Sequence, residues 1–140
     1  MNTERLYDRL RSAYGESKGL TLRFGRGRST MIGLERRENP SDYHWDGLLR
    51  GGRAEAPFFI FQYTLDGFGI FEQGGKSHRI EAGRSFVAVV PSAHRYYLPA
   101  DSPGWTFVWF LLPHPYIVRR MTDRLAGTDC VQAFDPAGAV

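Results

Sequence analysis

The sequence has one cysteine, Cys130, and only four histidines, and none of its apolar runs is long. A single thiol excludes an internal disulfide framework and fits a reducing compartment, with the cytoplasm as the default. The longest apolar stretches, Phe86–Pro91 and Phe107–Pro113, fall far short of the roughly 20 residues a membrane span needs. The amino terminus, Met1-Asn2-Thr3-Glu4-Arg5, runs into charge, so no signal peptide is visible. His44, His78, His94 and His114 include no His-x-His pair, and there is no Cys-x-x-Cys. Gly25-x-Gly27 and Gly67-x-Gly69 lack the strand–turn–helix setting of a phosphate loop. No Gly-x-Ser-x-Gly elbow or paired carboxylates stand out. Neither catalysis nor a cofactor is expected.

What is present points to strands. Of 140 residues 14% are aromatic, beside 16 glycines and 8 prolines, which suits short strands with tight turns and argues against a helical bundle. With 42% hydrophobic and 24% charged residues the chain is one globular domain rather than a disordered one. The net charge of +3 comes from the first third, where residues 1–53 hold 11 basic and 7 acidic side chains. Arg23, Arg26 and Arg28 offer a nucleic-acid arm. The acids Glu35, Glu38 and Asp42 nearby favour a solvated arginine-rich loop instead.

Along the chain, Thr3–Tyr14 reads as a short amphipathic helix stopped by Gly15. Strand-like pieces follow from Leu20 to Leu34. Phe58–Thr64 is a strand, Asp66-Gly67 a hairpin signal, and Phe68–Glu72 the return along it. Ser77–Glu81, Ser85–Val90, His94–Leu98 and Trp105–Leu112 complete six strands at the spacing of an antiparallel sandwich or small barrel. Pro115–Leu125 is a second helix ended by Gly127, and residues 128–140 have no pattern.

Alternation along strands sorts the candidates. Trp105, Phe107, Trp109 and Leu111 share one face, and His94, Tyr96 and Leu98 another. If these rows converge, His94, Tyr96, Phe107 and Trp109 form an aromatic pocket with polar tips. The same rows are also ordinary core, and a single histidine is most often structural.

One ordered series is familiar. Gln62-Tyr63-Thr64-Leu65-Asp66-Gly67-x-Gly69, Gly74-Gly75, Ile80-x-x-Gly83, Pro91-x-x-His94-x-Tyr96 and Trp105-x-Phe107-x-Trp109 resemble the amino-terminal sensor domain of AraC-type transcription regulators over about Arg50–Tyr116. The resemblance implies a mainly all-β, cupin-like double-stranded β-barrel (jelly roll) with short flanking helices at both ends. It implies an amino-terminal helix or arm over 1–16, an effector-binding barrel over 17–113, and a helix with linker over 114–140. Such a barrel binds a small effector, often a sugar. DNA binding then belongs to a helix-turn-helix domain missing from the chain, and a homodimer is expected for the full-length protein. By position, Tyr96 and Trp109 resemble sugar-contacting residues of arabinose-responsive members, Phe107 replaces a polar histidine there, and Arg50 or Arg53 stands near a sugar-binding arginine. The wider cupin family includes metal enzymes. Here Arg53-Ala54-Glu55-Ala56 and Ile60 replace their first ligand motif and only His94 matches the second, so no metal is expected. The alternatives are a small standalone cupin enzyme, an isomerase or oxygenase, and a ligand-free interaction domain.

Overall fold

The computed structural model describes residues 8, 12, 19–23, 29–50 and 56–133. The helix expected over Thr3–Tyr14, apart from Asp8 and Ser12, therefore lies outside the described residues, as does Arg53. The strands in chain order are β1 (Gly19–Arg23), β2 (Ser29–Arg37), β3 (His44–Asp46), β4 (Phe58–Gln73), β5 (Lys76–Glu81), β6 (Arg84–Val90), β7 (His94–Tyr97) and β8 (Trp105–Leu112). Helix α1 (Pro115–Leu125) and strand β9 (Val131–Ala133) follow. Every pairing is antiparallel. One sheet runs β1-β2-β8-β4-β6-β9, and a second joins β3, β7, the far half of β4, and β5. The two sheets form the mainly-β, cupin-like barrel that the strand series anticipates. Among the described residues no helix is long and apolar enough to cross a membrane.

Strand β4 corrects one expectation. Asp66-Gly67 is not a hairpin turn: the strand runs unbroken for 16 residues and passes from one sheet into the other. A register shift between Thr64 and Asp66 marks a bulge, and Gly67 sits there with φ of 67°. Its backbone lies against Gly104, whose carbonyl accepts from the Phe68 N–H at 3.1 Å. The turn that the sequence also offers at Gly74-Gly75 is a hairpin between β4 and β5, with both φ values positive.

Alternation then builds two layers. Ile60, Gln62 and Thr64 face the barrel interior, because Gln62 lies opposite both Phe86 and Trp109 and Thr64 lies opposite Phe107. Phe59 and Phe61 face outward, where Phe61 stacks on Phe110 at 4.7 Å. Helix α1 covers that side with Val118 buried and Met121 and Leu125 packed beside it. The patternless stretch after α1 also contributes: β9 pairs with the edge of β6.

Candidate functional site

The interior row of β7 is as the alternation requires. His94 and Tyr96 are buried while Arg95 is exposed. Strand β3 lies alongside, with Trp45 opposite Tyr96. Just before it Tyr43 enters the barrel, with its ring 6.1 Å from Tyr96, 5.2 Å from Phe107 and 5.7 Å from Trp105. Tyr43 thus joins the two rows that the sequence placed on separate strands. Its hydroxyl donates to Gln62 Oε1 at 3.2 Å.

Arg50 reaches the same cluster from the loop after β3. Its guanidinium lies 4.2 Å over the Trp45 ring and 5.7 Å from Phe58, and it donates to the Tyr96 hydroxyl. Arg50, Tyr96 and His94 therefore form one line, Phe107 joins it through Tyr43, and Trp109 is reached through Gln62 across β4 and β8. The Trp row divides. Trp105 and Phe107 are wholly buried, and Trp105 Nε1 donates to Thr64 Oγ1 at 2.8 Å. Trp109 is half-buried, its indole lies over Gly33, and its Nε1 has no partner.

Burial sets the protonation states. It pushes the Tyr96 phenol up to about 12 and the Tyr43 phenol well above its usual value, so both keep their protons near neutral pH. Burial first, and the Arg50 charge second, lower the His94 imidazole from 6.5 to about 4, so the ring is neutral. His94 Nδ1 shares a hydrogen bond with Ser92 Oγ at 2.7 Å, and Nε2 has no partner. Among the described residues no three His, Cys, Asp or Glu side chains come together, so the donor set does not fit the metal of a cupin enzyme.

Sequence reasoning missed Tyr43, Trp45 and Gln62. Gln62 carried a signal, being the one amide in the apolar strand Phe58–Tyr63 and on its inward face. Tyr43 follows the Asn39-Pro40 loop and carried none. A cleft of about 480 Å³ is lined by Asp46, the Gly74-Gly75 turn, His94 and Arg95.

The family model described as AraC-like ligand binding domain matches residues 43–131. Among solved structures, the chain is similar to a cupin protein from Bacteroides fragilis at 14% identity and a TM-score of 0.45, covering 71% of this chain and 79% of that one. An HTH_3 family transcriptional regulator from Vibrio cholerae is similar at 12% identity and a TM-score of 0.41 over 70% of this chain. The match covers 51% of that regulator, so the chain spans about half its length. The cupin domain of an XRE family transcriptional regulator from Enterobacter cloacae is similar at 10% identity and a TM-score of 0.37, covering 69% and 97% of the two chains. No curated protein matches.

Proposed function

The chain belongs to the family of AraC-like ligand-binding domains, and we propose that it is the effector-sensing part of a transcription regulator. A small polar molecule of about sugar size enters the barrel beside Arg50, Tyr96 and Trp109. A separate DNA-binding domain of the full-length protein reads the outcome. The observation that carries this reading is a set of buried polar atoms without partners on the inner face: Gln62 Nε2, His94 Nε2 and Trp109 Nε1. Such groups cost stability unless a guest completes them. The rings around them suit the apolar face of a sugar-like ligand. An effector that binds one arrangement of the barrel better than another shifts the population, and DNA affinity follows by linkage. The same reading assigns binding rather than catalysis to the chain, and a cytoplasmic homodimer to the full-length protein.

Titration with a panel of sugars and small polar metabolites should change tryptophan emission and raise Tm. Trp109→Phe should remove the emission change, whereas Trp105→Phe should retain it. A panel without effect, combined with a Trp109→Ala variant that simply unfolds, would make the row plain core and end this reading.

A further inference from the structure

We propose that the effector is an acid, a small molecule whose carboxylate is met by Arg50. The inference rests on the sensing role proposed above and names the chemistry of what is sensed. Arg50 is half-buried, lies over Trp45 and donates to Tyr96, yet among the described residues no carboxylate pairs with it. A guanidinium drawn partly out of water, with aromatic faces and one phenol for company, keeps most of its N–H donors for something else.

The surrounding wall leans the same way. Of the five buried side-chain atoms without a partner among the described residues, Arg37 Nε, Gln62 Nε2 and Trp109 Nε1 can only donate. His94 Nε2 can do either, and the fifth atom, Ser85 Oγ, lies opposite Tyr63 on the outward face of β6, away from this wall. The Gln62 amide oxygen is already used by Tyr43, which leaves the amide nitrogen facing the site unanswered. Glu35, on the inner face of β2 opposite Phe107, is already engaged by Arg37. What these unpartnered donors and Arg50 lack is an acceptor with negative charge, since Glu35 is taken up by Arg37. A carboxylate supplies one, without protons of its own, in a plane that matches the guanidinium fork. A neutral sugar hydroxyl can accept from the same donors but brings no charge to answer the Arg50 guanidinium.

The test is a set of matched pairs: glucuronate against glucose, gluconate against glucitol, and benzoate against benzyl alcohol. Each is titrated into the wild type, Arg50→Gln and Arg50→Lys, with Tm and tryptophan emission as readouts. At least one acid should bind in preference to its neutral partner. Arg50→Gln should weaken that acid by at least about 30-fold, as expected when one side of a desolvated charge pair is removed. Arg50→Lys keeps the charge but not the fork and should fall between. A merely structural Arg50 would lower the Tm of the free protein and leave the acid-to-neutral ratio unchanged, which would overturn the proposal. If Arg50→Gln does not fold, the wild-type ratio still decides. Neutral members that bind as well as their acids, with a response lost in Trp109→Phe, would overturn the acid and leave the sensing role intact. Silence from every compound would overturn the acid, and together with a Trp109→Ala variant that simply unfolds it would end the sensing role too.

Discussion

Lowering the pH from about 7 to about 4 should cost the barrel about 3 kcal/mol through His94 alone. The imidazole is 4% exposed, sits beneath Gly47, and lies 5.8 Å from the Phe71 ring and 6.1 Å from the Tyr96 ring. Burial is the main cause that lowers it from 6.5 to about 4, and the neighbouring Arg50 charge adds to it. Above about pH 6.5 the ring is neutral in both states, and its full contribution to stability is present. Between the two values the unfolded chain takes a proton that the folded one refuses, so stability falls with pH. Below about 4 both states are protonated and the loss is complete. At about 1.4 kcal/mol for each pH unit, that window amounts to about 3 kcal/mol. The assay is urea unfolding of the wild type and His94→Gln at steps of pH across the window. Their difference cancels carboxylates that titrate in both proteins. The wild type should lose about 3 kcal/mol more than the variant. Parallel pH profiles, or an NMR titration that finds His94 near 6.5, would refute the claim that this ring is held neutral by burial.

The remaining expectations concern glycines that shape the site. Gly33→Ala would drive a methyl group into the Trp109 indole, so it should shift tryptophan emission and cost about 1–3 kcal/mol by overpacking. An unchanged spectrum and Tm would show that Trp109 does not lie over Gly33. Gly75→Ala, in open space at φ of 75°, should cost only the left-handed backbone penalty of about 1–2 kcal/mol. Gly67→Ala adds a collision with the Gly104 carbonyl to a similar φ and should cost clearly more by thermal melting. Equal Tm values for the two variants would contradict the assigned bulge.

Legibility followed the range of the interactions. Strand β8 and helix α1 occupy the residues that their periodicity predicts, Trp105–Leu112 and Pro115–Leu125. The alternation of β7 also placed His94 and Tyr96 inward and Arg95 outward. Asp66-Gly67 misled because a glycine after an aspartate signals a hairpin locally. Here the glycine is needed for a close approach by Gly104, a residue from a distant loop. Arg50 entered as one of two arginines near a resembling site, and only the structure shows it against Tyr96. Tyr43 was invisible for the same reason: its partners Gln62, Tyr96, Trp105 and Phe107 come from three other strands.

The sequence by itself determined a mainly-β domain without a membrane-length apolar run, and it sorted most strand residues into two faces. Those properties are local, since alternation and turn chemistry need no knowledge of what lies across the barrel. Tertiary structure decided which part of an apolar row became core and which kept an unanswered polar atom. Trp105 and Trp109 share one face of one strand and one amino-acid type. Thr64 completes the first, while Gly33 leaves the second covered and its N–H unpaired. That difference depends on residues brought across from β4 and β2, which no pattern along β8 itself reveals.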